Sequence, residues 1–94
     1  MHKFLVHQAG DHVGVATAGI DAGEQVEGVF MDETGTVELE AAAPVPLGHK
    51  IAIRDCSAGD DVIEYGVRIG IATDTLRPGD YVHVHNLKSA RWGR

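Results

Sequence analysis

A short unit of a small residue, glycine, an acid, any residue and valine recurs along this chain and limits what it can become. It reads AGEQV at 22–26, AGDDV at 58–62 and PGDYV at 78–82, with a partial copy, GDHV, at 10–13. Glycine supplies the positive φ of a tight turn, the acid bonds back to the turn's backbone, and the valine opens the next strand. A chain reversed this often leaves little room for long helices. The copies are unevenly spaced, so the repeat is a turn device and not a solenoid period. Its acids are poor candidates for catalysis.

Between the turns lie KFLVH, HVGVAT, QVEGVF, TVELEA, KIAIRD, DVIEYG, RIGIAT and YVHVHNL, each about the length of a strand. KIAIR and YVHVH alternate strictly between apolar and polar residues, as strands buried on one face do. VELEAAA has helical potential, but Pro44 and Pro46 stop it at once. The chain is expected to form an all-β domain of short strands and tight turns, a small barrel or a clip, with room for one short helix.

With 94 residues there is one domain. We assign it to residues 1–87, with 88–94 a basic tail. Lys88, Arg91 and Arg94 lie in that tail, leaving five basic against fourteen acidic residues in the body. So negative a body lacks the counterion-release term that drives nucleic-acid binding, and no nucleic-acid partner is expected. Cys56 is the only cysteine, which excludes an internal disulfide and a thiolate zinc cage; a small, half-buried side chain is expected there. The N-terminal stretch has no apolar run of signal-peptide length, and no segment is long enough to span a membrane. A cytoplasmic location is expected.

Two places carry candidate chemistry. In YVHVHNL, residues two apart in a strand share a face, so His83 and His85 are expected to point together, able to share a metal or bind an anion. Two histidines make an incomplete metal site, and a solvent-facing pair is the plainer alternative. In PLGHKIAIRD, a turn delivers His49 and Lys50 to the start of a strand, where His49 suits proton transfer and Lys50 suits a carboxylate or sulfonate. His2, His7 and His12 are expected to be structural or solvated. Trp92 in the tail NLKSARWGR is a candidate anchor for a partner protein, alongside Lys88 and Arg91.

These blocks resemble the small subunit or N-terminal domain of the altronate dehydratase group of acid lyases. The shared pattern is Gly-His-Lys-x-Ala-x-Arg-Asp, then Gly-Asp-x-Val-x-x-Tyr-Gly-x-x-Ile-Gly, then Val-His-x-His-Asn, in that order and over about half the chain. FLVHQAGDHVGVAT and NLKSARW are similar to the sulfo-lyase members of that group. The resemblance implies a β-clip fold of the SAF type. It also implies a two-part lyase whose large catalytic subunit is a separate polypeptide and holds most of a divalent metal, commonly iron. The implied reaction is β-elimination on a small anionic 2-hydroxy acid, such as sulfolactate to pyruvate and sulfite, or altronate to its 2-keto-3-deoxy acid. Carried over residue by residue, His49 and Lys50 become catalytic candidates. His83, His85 and Asn86 become substrate-binding or metal-proximal ones. Arg54, Asp55, Tyr65 and Gly66 also match, with turn and packing roles explaining them equally well. A stand-alone SAF-type binding or structural module is the alternative.

Overall fold

A computed structural model describes residues 2–89, and every described element is a strand. They are β1 (His2–Val6), β2 (Val13–Ala16), β3 (Gln25–Phe30), β4 (Thr36–Glu40), β5 (Lys50–Ala52), β6 (Asp61–Glu64), β7 (Val67–Ala72), β8 (Tyr81–Val82) and β9 (Leu87–Ser89). The short helix allowed over VELEAAA does not form. Leu39 buries against the core while Glu38 and Glu40 stay exposed, a period of two that suits a strand, and β4 pairs with β3 along its length.

Six strands form one sheet in the order β4-β3-β1-β2-β5-β8, and three form a second in the order β6-β7-β9. Pairing is antiparallel throughout except between β1 and β3. Phe4 on β1 lies opposite Gly28 on β3, and any Cβ at Gly28 would overlap the Phe4 ring, so the glycine is what lets that ring enter the core. Phe4, Val6, Ile20, Val45 and Ile51 build one core cluster. Val13, Ala52, Val62, Leu76 and Val82 build a second, which draws on both sheets. Strand β5 serves both, because Ile51 faces the first cluster while its neighbour Ala52 faces the second.

The turn device proves more regular than its acidic form suggests. Four turns, at 21–24, 46–49, 57–60 and 77–80, share one construction. The third residue is a glycine with φ of 80°, 84°, 92° and 98° in turn. In each, the fourth residue's N–H donates to the first residue's carbonyl at 3.0–3.1 Å, the type II arrangement that needs positive φ at its third position. Each also follows a residue held in an isolated bridge, Ile20 with Val45 and Cys56 with Leu76. In two of the turns the acid folds back: Asp21 N–H donates to Glu24 Oε1 at 3.0 Å and Arg77 N–H to Asp80 Oδ2 at 2.8 Å. The partial copy does the same, with Gln8 N–H donating to Asp11 Oδ2 at 3.2 Å. The turn at 46–49 is PLGH. It escapes a search for glycine followed by an acid because His49 stands in the acid's place.

Several smaller expectations are met. Cys56 is a small packing residue as expected, though fully buried and not half-buried: its thiol lies 3.5 Å from the Asp61 carbonyl, and burial pushes its pKa up, which makes it inert. His12 is structural: its Nδ1 accepts the Ile63 N–H at 3.0 Å, and burial, aided by Arg54, holds its pKa below the usual histidine value. Asp11, 1% exposed, accepts from Tyr65 N–H at 3.0 Å and Gly66 N–H at 3.1 Å. It thereby pins the β6–β7 hairpin, whose two turn residues both have positive φ, 61° and 72°. No helix among the described residues is long and apolar enough to cross a membrane.

Candidate functional site

The edge of the six-stranded sheet and the face of the three-stranded one bound an open cleft of about 560 Å³, with His49, Lys50, Glu64, His83, Val84 and Leu87 among its lining residues. Alternation along β5 directs Lys50 to the side of Ala52, toward the second sheet, and alternation along β6 directs Glu64 to the side of Val62. The two meet, Lys50 Nζ standing 3.7 Å from Glu64 Oε1. On the other side of the carboxylate, His7 Nε2 lies 3.7 Å from Oε2, and the His7 ring stacks on Tyr65 with centroids 3.5 Å apart. The Glu64 side chain is 8% exposed. An acid so buried is costly unless cations or donors face it, and Lys50 and His7 fill that role. His7 Nδ1 is itself buried without a hydrogen-bond partner among the described residues.

Two cleft-lining rings, His49 and His83, cluster with Tyr81, which stands between the cleft and His85, the His85 centroid lying 5.8 Å from that of Tyr81. Tyr81 Oη and His49 Nδ1 are 2.7 Å apart, the His49 and His83 centroids are 5.3 Å apart, and His83 stacks on Tyr81 at 5.5 Å. Tyr81 is held there because β8 pairs with β5, Tyr81 opposite Ile51 and Val82 opposite Lys50.

The arrangement around His83 and His85 differs from the strand expected over YVHVHNL. Strand β8 ends at Val82, and residues 83–86 turn the chain from the first sheet into β9 of the second. His83 N–H donates to Asn86 Oδ1 at 2.9 Å instead of to a neighbouring strand, and Asn86 Nδ2 donates to the Tyr81 carbonyl at 2.8 Å. The two histidines therefore part. His83 lines the cleft, while His85 lines a separate hollow with Asp74, Asp80 and Tyr81. Asn86 is buried with both side-chain polar atoms engaged in the turn. Among the described residues no group of three or more His, Cys, Asp or Glu is placed to hold a metal ion, so these residues do not fit a complete metal shell.

Arg54 and Asp55 are exposed beyond β5, and Tyr65 and Gly66 make the hairpin turn. Lys88 lies on β9, exposed, so the segment assigned to a tail begins as a strand paired with β7. Arg91 and Trp92 lie outside the described residues. Two residues have no place among the sequence candidates: Glu64, which lines the cleft, and Tyr81, which bonds to His49 from beside it. Glu64 had a signal: it is an acid on the same face of its strand as Val62, where an apolar residue would continue the alternation. Tyr81 had none, since its partner lies 32 residues away.

A cation and two imidazoles lining one open cleft, one of them bonded to a phenol beside it, suit an anionic oxygen-rich ligand and proton transfer to or from it. Fold and cleft together define a small all-β domain that presents ionisable side chains without enclosing a pocket. The chain belongs to the altronate/galactarate dehydratase SAF domain family, whose model matches residues 2–90. It is 44% identical to the (2R)-sulfolactate sulfo-lyase subunit alpha of Chromohalobacter salexigens, over 95% of this chain and 96% of that protein. The subunit alpha of the same name from Paracoccus pantotrophus is 39% identical over 68% of this chain and 96% of its own length. The altronate dehydratase of Bacillus subtilis is 30% identical over 95% of this chain, which covers 17% of that much longer protein.

Proposed function

We propose that this chain is the small subunit of a two-part acid lyase that eliminates a group from C3 of a 2-hydroxy acid, with sulfolactate as substrate. The observation that carries the reading is the end-to-end match to a sulfo-lyase subunit alpha, joined to a cleft that gathers Lys50, His49 and His83. In the reaction the proton on C2 is removed and the C3–S bond breaks. Sulfite leaves with the bonding pair, and the enol left behind becomes pyruvate. Lys50 pairs with the carboxylate or sulfonate, His49 moves a proton, and His83 orients the anion. A divalent metal held by the large subunit remains part of the proposal, as the group that would polarise the carboxylate.

The large subunit closes the cleft. Val84 in the cleft lining and Leu47, next in sequence to the lining residue Gly48, are 80% and 66% accessible and are apolar contacts left for that partner, with Lys88 on β9 and the sequence candidates Arg91 and Trp92 as further proposed contacts. The proposed setting is the cytoplasm. The test is to co-purify the tagged chain from its native lysate and assay the eluate with sulfolactate and with altronate. A large lyase chain co-eluting with sulfite release supports the reading. Dehydration of altronate reassigns the leaving group to hydroxide, and a chain that elutes alone and inactive overturns the subunit role in favour of a binding module.

A further inference from the structure

We infer that Tyr81 is the positioning residue for His49: its hydroxyl donates to Nδ1, so that the neutral imidazole carries its proton on Nε2, the nitrogen left for a ligand in the cleft. The inference rests on the proposed role of His49, and three observations carry it.

First, His49 occupies the position that Glu24 and Asp80 hold in turns of the same construction, where the side chain folds back onto the N–H of the turn's first residue. Second, the first residue of the His49 turn is Pro46, which has no N–H to offer. The histidine is therefore not anchored by its own turn, as the acids are. Third, an anchor comes from elsewhere: Tyr81 is the residue that directly follows the Asp80 turn, held in register opposite Ile51, and its Oη lies 2.7 Å from His49 Nδ1. One turn thus gives up its internal bond, and the strand launched by another supplies the replacement.

The direction of the bond follows from the two groups. A phenol is the better donor and a neutral imidazole nitrogen the better acceptor, so the hydroxyl hydrogen points to Nδ1. His49 then meets its ligand as an N–H donor in one orientation, and an oriented donor is worth more in a transition state than one that must be ordered there. The side chains around the ring are His83 at 5.3 Å and Tyr81 itself, with Lys50 and Glu64 further along the cleft wall.

The experiment has two arms. In the full chain labelled with ¹⁵N-histidine, long-range ¹H–¹⁵N spectra above neutral pH should give His49 with Nδ1 unprotonated and hydrogen-bonded and Nε2 protonated. Tyr81→Phe should move the Nδ1 resonance and leave the fold intact. In the reconstituted complex, Tyr81→Phe should lower kcat about tenfold with KM within about twofold, and the loss should vanish in a His49→Ala background. A protonated Nδ1 in the unmodified chain, an Nδ1 signal indifferent to Tyr81→Phe, or an unchanged kcat overturns the inference. If His49→Ala alone leaves activity intact, the proposed role of His49 fails instead, and the spectra still report on the Tyr81 bond.

Discussion

The turn at 21–24 and the turn at 46–49 have the same backbone and opposite uses. In both, a glycine with φ near 80° stands third and the fourth N–H returns to the first carbonyl. In the first, Glu24 closes on Asp21 N–H and also pairs with Lys3, so all of its chemistry is directed inward. In the second, proline removes the N–H and histidine replaces the acid, and the side chain reaches a tyrosine and a cleft. Of the three differences between these four-residue turns, the proline and the histidine separate a turn that closes on itself from one whose side chain reaches outward. The strands need not change for this, because the backbone hydrogen bond and the glycine already fix the turn.

Breaking the inward-directed kind should show first in stability. Asp11→Ala removes the acceptor for Gln8, Tyr65 and Gly66 N–H groups. It should cost about 3 kcal/mol and lower Tm by more than about 10 °C, measured by thermal or urea unfolding. A smaller effect would sharpen the comparison. Pro46→Ala restores the missing N–H, and His49→Asp supplies the acid, so the double variant should regain the bond that neither single variant can make. A double-mutant cycle should give a favourable coupling of about 1 kcal/mol; additive effects would mean the proline is not what releases His49.

The smallest effect concerns pH. Glu24 has its pKa lowered, first by the Asp21 N–H and then by Lys3. A carboxylate whose folded pKa lies below its unfolded one stabilises the fold above the unfolded value, and that contribution is lost as pH falls through the folded one. Stability should therefore dip as pH falls below the ordinary carboxylate range. Because water reaches and screens the Glu24–Lys3 pair, the dip should be shallow, and Glu24→Gln should flatten that part of the curve.

The turns were legible because positive φ is a local demand that glycine advertises, and the strands because alternation survives in segments such as KIAIRD. The site was legible in half. His49 and Lys50 stand where a turn meets a strand, and the structure brings them to one cleft. His83 and His85 were paired by assuming that an alternating run stays extended. Asn86 captures the His83 amide and ends the strand early, a choice made by side-chain hydrogen bonding and by the need to cross to the second sheet. Glu64 and Tyr81 take their meaning from residues distant in sequence, Lys50 and His7 for one and His49 for the other, and no local pattern encodes such contacts. The fourth turn was hidden by the histidine that stands in the acid's place.

The most direct test compares matched truncations of the two turns, Glu24→Ala and His49→Ala, each reconstituted with the large subunit and assayed for sulfite release from sulfolactate. We expect Glu24→Ala to keep full activity per folded complex. His49→Ala should lose about a hundredfold or more in kcat, the usual scale for a lost acid–base group, while its assembly with the partner is unchanged. Activity within a few-fold of normal for His49→Ala, or equal losses in both variants, would contradict the division between a turn that holds the fold and a turn that serves the reaction.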